Sequence, residues 1–386
     1  MNERRGTKSP GFVCTSLHNN SFDSAYLTSA FIRGRKEICL LKRSFVVLVL
    51  VGLVGCSPNG EALPQLGIDV KQTSVSGLSA GAYMAGQLQV AHSSQIIGAA
   101  LVAGGPYGCA ESGSESLLPA AARNTTQALE GCMSDKFRSQ GIPNVTALAE
   151  RAKALARDGK IDPLEGLKSD KVYLFSGGAD QIVARSIVEA AKDFYLRAGV
   201  AEANIQFDTR KDAGHAFLTT DTGTACGVSA SPFVSDCDYD QAGAILKWLY
   251  SDLKTPAEKP AGKFIRFDQS EFSENGAADL SKEGVVYVPP QCSKEENCRL
   301  HIALHGCEQN INTIGMTFVE GSGFARWADS NRLVVLFPQV SASVLNPKGC
   351  WDWWGYTGND YLTKNAPQIA AIWRMVERLA MSPAQS

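Results

Sequence analysis

The chain has 386 residues, of which 44% are hydrophobic and 20% charged. That composition supplies a sizeable core and excludes global disorder. Thirty-seven Lys and Arg against 39 Asp and Glu give a net charge of −2, and no basic run points to a nucleic-acid partner.

Lys42 and Arg43 precede an apolar run over 45–54. The run is too short to span a bilayer, and its basic flank suits a secretory signal. It ends Leu53-Val54-Gly55-Cys56, which resembles a bacterial lipobox, in which the cysteine is lipidated and becomes the first mature residue. Residues 1–41 read as an extra upstream stretch, explained by a start codon later than Met1. The mature protein is therefore expected to be exported from a bacterium, either secreted or anchored to the outer membrane through Cys56. Residues 1–55 carry eight basic and three acidic residues, so their removal leaves 29 and 36, a net charge of −7. This argues against anionic partners.

Beyond the signal, elements alternate. Residues 70–75 read as a strand, 80–91 as a helix and 96–103 as a strand. Residues 125–157 are Ala-rich and read as a helical insertion, within a stretch (117–167) that raises the question of a lid. Strands are expected at 171–175 and 204–209, and helices at 183–198 and 239–253. Residues 254–263 (KTPAEKPAGK) read as a linker. After it come strands at 264–268, 284–288, 299–304 and 333–337, with helices at 318–331 and 366–379. This alternation argues an α/β fold, a mostly parallel sheet with helices on both faces. Residues 56–386 read as one catalytic domain, and the C-terminus follows a helix so closely that no appended binding module is expected.

Gly77-Leu78-Ser79-Ala80-Gly81 lies between a predicted strand and a predicted helix. That is the setting of a nucleophile elbow, where small residues permit a tight turn and the helix N-terminus supplies free N–H groups. A serine nucleophile needs a base and an orienting acid, which follow in the order Ser, Asp/Glu, His in α/β-hydrolase folds. Asp180 ends a segment just past the strand at 171–175, and His215 lies just past the strand at 204–209. Both therefore fall on loops at carboxyl ends of strands, where catalytic groups converge. His92 reads as a cap or packing residue, His301 as structural, and His18 lies in the removed segment. Asp170 and Asp193 are poorly placed, and Asp208 and Asp212 are the nearest competitors for the acid.

An oxyanion hole takes one N–H from the residue after the nucleophile and one from a loop after an earlier strand, often with a His-Gly signature. Here that signature, His305-Gly306-Cys307, follows the triad residues instead. A circular permutation accounts for the order, with 254–263 joining the usual end of the fold to its usual beginning. Ala80 and Cys307 are the expected oxyanion donors. With nucleophile, base and oxyanion donors all in the chain, no metal or organic cofactor is called for.

Cys350-Trp351-Asp352-Trp353-Trp354 is too aromatic to face inward throughout. Trp351, Trp353 and Trp354 are candidates for an apolar shelf beside the site. Eight cysteines remain after Cys56, an even number that suits four disulfides in an oxidising compartment. Chain proximity favours Cys109–Cys132, Cys226–Cys237, Cys292–Cys298 and Cys307–Cys350, although sequence alone cannot choose among the pairings. No C-x-x-C spacing suggests zinc.

Taken together, residues 75–84, 103–109, 175–180, 213–216, 236–240, 305–307 and 349–358 resemble extracellular short-chain-length polyhydroxyalkanoate depolymerases. The similar group is the one with a circularly permuted catalytic domain and the serine motif near the N-terminus. The resemblance runs over about 65–380. It implies a secreted serine esterase acting on poly(3-hydroxybutyrate) or its oligomers, and the protein is expected to be a monomer. By position it makes Ser79, Asp180 and His215 the triad, Cys307 the second oxyanion donor, and the Trp-rich loop the substrate crevice. The missing polymer-binding module and the lipid anchor depart from many members and make oligomers or amorphous polymer the expected substrates. A feruloyl or acetyl-xylan esterase is the enzymatic alternative, and a non-catalytic surface lipoprotein the other.

Overall fold

The computed structural model describes residues 61–111, 120–134, 144–294 and 296–383. The expected signal segment and lipobox, with Cys56, lie outside the described residues.

The expected strand at 70–75 starts three residues late. The Asp69 carboxylate accepts the Lys71 N–H at 3.0 Å and holds Val70–Gln72 in a 3-10 turn. The extended run is β1 (Thr73–Leu78), which leads through Ser79 into α1 (Ala80–Ala91), every residue of which is buried. β2 (Ile96–Val102) follows. The insertion contributes α2 (Ala120–Thr126), prolonged by a π turn at Gln127–Gly131, and α3 (Val145–Arg157). Then come β3 (Lys171–Gly177), α4 (Arg185–Ala198) and β4 (Ile205–Arg210). Three short strands, β5 (Phe217–Thr219), β6 (Thr224–Ala225) and β7 (Val234–Asp236), form a separate small sheet that the sequence reading missed. α5 (Gln241–Leu249) starts two residues later than expected, where the Asp240 carboxylate caps it by accepting the Gly243 N–H at 2.8 Å, and ends four residues earlier, at the extended Tyr250.

The second half holds β8 (Lys263–Asp268), β9 (Glu283–Val288), β10 (Arg299–Leu304) and β11 (Leu333–Phe337). Its helices are α6 (Ile311–Ile314), α7 (Thr317–Gly321), α8 (Phe324–Asn331) and α9 (Pro367–Ala380). One helix over 318–331 was expected; Gly323, at φ +86°, splits it into α7 and α8.

The main sheet has eight strands in the order β4-β3-β2-β1-β10-β11-β9-β8. β9 runs antiparallel to both its neighbours, and the other pairings are parallel. Counted from β8 and continued into β1, the order is first, second, fourth, third, then fifth to eighth, with the second strand reversed. This is the α/β-hydrolase sheet, circularly permuted. On β2, Gly98 closes on Leu249 of α5 while Leu101 packs on Gly86 of α1, so helices cover opposite faces. The segment 254–263 is strapped to α8 and β9. Lys254 N–H donates to Asn331 Oδ1 at 2.6 Å, Ala257 N–H to Arg326 O at 2.9 Å, and Gly262 N–H to the Tyr287 hydroxyl at 2.9 Å. All four disulfides favoured by chain proximity are formed.

Candidate active site

β1 and β10 are adjacent and parallel, so their carboxyl ends deliver Ser79 and the loop of His305 to the same edge. Ser79 takes φ +56° and ψ −119°, a left-handed conformation that a non-glycine residue adopts only under constraint. Its N–H donates to Val102 O at 2.9 Å. The crossing leaves no room beside it. A Cβ on Gly77 would lie 2.2 Å from Gly81 O, and one on Gly81 would lie 2.4 Å from Leu304 O. Both glycines of the motif are thus sterically required. The Ser79 hydroxyl caps no helix N–H.

His215 Nδ1 and Asp180 Oδ2 lie 2.8 Å apart, with both side chains buried. The other Asp180 oxygen, Oδ1, accepts N–H groups from Ile182 at 2.7 Å and Val183 at 3.0 Å. The carboxylate is therefore fixed by its own loop and turned toward the ring. The His215 N–H donates to Ser229 Oγ at 2.8 Å, and the ring of Phe233 stands edge-on to the imidazole at 6.2 Å. The rival carboxylates are engaged elsewhere. Asp208 accepts the Tyr239 hydroxyl, Asp212 is exposed beside Arg210, and Asp170 accepts from Gln89. Among the described residues no hydrogen bond joins Ser79 to His215. Such bonds in free enzymes are often long and tighten with substrate bound.

Ala80 N–H is the first of α1, and Cys307 lines the same cavity as Ser79. His305 holds the peptide that carries the Cys307 N–H. Its Nε2 accepts the Val340 N–H at 3.2 Å, which leaves the proton on Nδ1, 2.7 Å from Gly306 O. Burial lowers the His305 pKa to about 4, so the ring stays neutral at ordinary pH. Carbonyl and N–H of one trans peptide point in opposite directions, so holding Gly306 O turns Cys307 N–H away from His305.

The cavity measures about 470 Å³, a size that suits a short oligomer or a drug-sized ligand. Ser79 and Tyr83 of α1 line it, with Thr125, Ala128, Leu129 and Met133 of the insertion on one side. The loop from Leu345 to Lys348, with Cys350, Trp353 and Trp354, lines the other. Asn124 Nδ2 donates to Trp354 O at 2.9 Å and ties the two walls together. Trp353 stacks on Tyr83 with ring centroids 4.3 Å apart. Trp351 is a correction. It is 0% exposed, does not line the cavity and packs against His305, so it belongs to the core.

No family model matches the chain. It is 42% identical over 335 residues to a poly(3-hydroxybutyrate) depolymerase of Delftia acidovorans, across 86% of this chain and 63% of that protein. It is 34% identical over 347 residues to the polyhydroxybutyrate depolymerase of Talaromyces funiculosus, across 86% of this chain and 96% of the other. The chain belongs to the polyhydroxybutyrate depolymerase family. Two solved structures agree. The PHB depolymerase from Penicillium funiculosum has a TM-score of 0.73 at 32% identity, covering 83% of this chain and 99% of that one. A serine-to-alanine PHB depolymerase complexed with R3HB trimer gives 0.73 at 31%, with the same coverage. The chain spans just under two thirds of the length of the Delftia relative.

In this depolymerase-family chain the structure gathers Ser79, Cys307, Trp353 and Trp354 on one cavity and pairs Asp180 with His215. Sequence reasoning missed Tyr83, Thr125, Met133 and the orienting contact of His305. Tyr83 was detectable, since it lies four residues after Ser79, one helical turn along α1. His301 is structural, as expected. Its two ring nitrogens each lie 2.7 Å from a β1 hydroxyl, of Ser74 and Ser76. His92 stacks on Trp373 at 3.9 Å and is a packing residue. Among the described residues no helix is long and apolar enough to cross a membrane.

Proposed function

We propose that the protein is a serine esterase that hydrolyses poly(3-hydroxybutyrate) or its oligomers to 3-hydroxyacids. The carrying observation is the buried Asp180–His215 pair on the same sheet edge as a strained serine turn that opens into an apolar cavity. His215 takes the Ser79 proton as the hydroxyl attacks the ester carbonyl. The Ala80 and Cys307 amides receive the developing oxyanion, and Asp180 holds the imidazole and stabilises its charged form. His215 then protonates the leaving alcohol, and water releases the acyl group by the reverse sequence. Trp353, Tyr83 and Met133 give the aliphatic ester chain an apolar bed. Leu129 and Leu345, 56% and 66% exposed, extend that surface outward at the cavity rim, where an insoluble polyester would meet it.

The proposal extends to the whole mature chain. Residues 56–386 act as one catalytic domain with 254–263 as the permutation joint. The protein is a monomer, exported from a bacterium by its signal segment and tethered through a lipid on Cys56. The names of the relatives and the R3HB trimer bound by one solved neighbour support the substrate class.

The test measures acid release from 3-hydroxybutyrate trimer and from amorphous polymer by protein beginning at Cys56, beside its Ser79→Ala variant. Release from both substrates is expected from the parent, with a loss of roughly 10⁴-fold or more in the variant. Near-full activity in Ser79→Ala would end this mechanism. Cleavage of simple esters without release from either hydroxybutyrate substrate would move the function to another ester.

A further inference from the structure

The two halves of the permuted chain each supply part of the candidate machinery. Ser79, Asp180 and His215 precede the strap at 254–263, and the loop of Cys307 follows it. None of the four disulfides crosses between the halves. The β1–β10 pairing sets the strands side by side, and a side-chain link ties the loops beyond them.

The geometry points to Gln309 as that positioning residue. Its side chain is 1% exposed, and three hydrogen bonds engage it. Oε1 accepts the Gly306 N–H at 2.7 Å. Nε2 donates to Pro232 O and to Phe233 O, each at 3.0 Å. An amide side chain has two donor hydrogens, and here both point into the first half while its oxygen grips the second. On the second-half side, Gly306 is clamped at both ends, its N–H by Gln309 and its carbonyl by His305. The next N–H along the chain is that of Cys307. On the first-half side, Phe233 O also accepts the Phe217 N–H at 2.8 Å, two residues beyond His215, and the Phe233 ring stands against the imidazole. One buried amide therefore bridges the loop that carries Cys307 and the segment packed on His215.

Gln309 makes no contact with substrate in this account. It acts by keeping two groups on different halves in a single geometry. A misplacement of about 1 Å in such a site costs on the order of 10²-fold in rate. Shape alone would not serve. A methionine fills the same space but holds neither half. A glutamate keeps the oxygen that takes Gly306 N–H and sets a second oxygen against the two carbonyls.

This inference rests on the serine-esterase reading, and the experiment separates the two. Gln309→Met and Gln309→Glu are compared with the parent and Ser79→Ala on 3-hydroxybutyrate trimer. Circular dichroism and thermal melting confirm folding. Both variants are expected to lose about 10- to 100-fold in kcat with KM changed less than about threefold, since an oxyanion donor is displaced rather than a binding contact removed. Phosphonylation of Ser79 by an organophosphonate, which needs the same amides, is expected to slow in parallel per folded molecule. If Gln309→Met unfolds, Gln309→Glu decides alone. Folded variants with kcat within twofold of the parent, or with the loss carried by KM, would overturn the role. Parent activity that survives in Ser79→Ala would sink the esterase reading instead and leave a different signature.

Discussion

Ser79 and Asp170 illustrate opposite uses of an uncomfortable residue. Ser79 holds a left-handed backbone that Gly77 and Gly81 make room for, and the strain sits where the candidate chemistry is. Asp170 is far from that cavity, yet burial raises its pKa to about 7, opposed by one hydrogen bond from Gln89. Its unfolded value lies near 3.9, so between about pH 4 and pH 7 the folded chain binds the extra proton. Stability therefore falls as pH rises through that window. Asp170→Asn is expected to raise Tm at pH 8 by several degrees and to leave it unchanged at pH 4, read by thermal denaturation at both pH values. An equal Tm difference at the two pH values would exclude this titration. Sequence singled out Ser79, Asp180 and His215 because three short motifs fall just after strands in the order of an α/β-hydrolase triad. It could not show the roles of His305 or Asp170, because each depends on which backbone groups surround an imidazole or carboxyl after folding.

The aromatic loop shows the same limit one level up. Its three tryptophans are indistinguishable in sequence, since an irregular loop has no period to say which residues face inward. Asp352 decides. Its carboxylate is buried and accepts N–H groups from Gly355 at 2.6 Å, Tyr356 at 3.0 Å and Thr357 at 3.0 Å. This folds the chain around one side chain, putting Trp351 into the core and Trp353 onto the cavity. Burial raises the Asp352 pKa, opposed by those same hydrogen bonds. Asp352→Ala would strand the amides at about 1–3 kcal/mol each, with an expected net loss of about 3 kcal/mol in denaturant unfolding. Trp353→Ala is expected to keep the fold and raise KM for the trimer, because it removes the stacked ring beside Tyr83. If the two substitutions had the same effect on stability, Asp352 would not be organising the loop.

All eight strands of the main sheet were legible, as apolar runs in the middle of the sheet and as alternating apolar and polar residues at its edges β4 and β8, each bounded by turn residues or helices. The small sheet was not, since strands of two or three residues carry no pattern. The permutation was legible from motif order alone, and the sheet order bears it out. Among the described residues the strap at 254–263 is the only covalent join between halves that also meet through β1 and β10, through α5 and α8, and through α1 against β10 and α9. Glu258 and Lys259 in it are exposed. A protease site inserted between them should give, after cleavage, two bands on a denaturing gel but one particle on gel filtration, with most activity retained. Separation into two species on cutting would show that the strap, not the sheet, holds the halves.

The pairing of β1 with β10 also sets a timetable. Thr73 lies beside Leu300, so the central strand of the sheet waits for a partner made near the end of synthesis. Such long-range parallel pairing is slow to form. Ser79, Asp180 and His215 leave the ribosome first, and the loop of Cys307 arrives last. Until β10 slots between β1 and β11, those three candidate residues stand without the loop that completes the cavity beside Ser79.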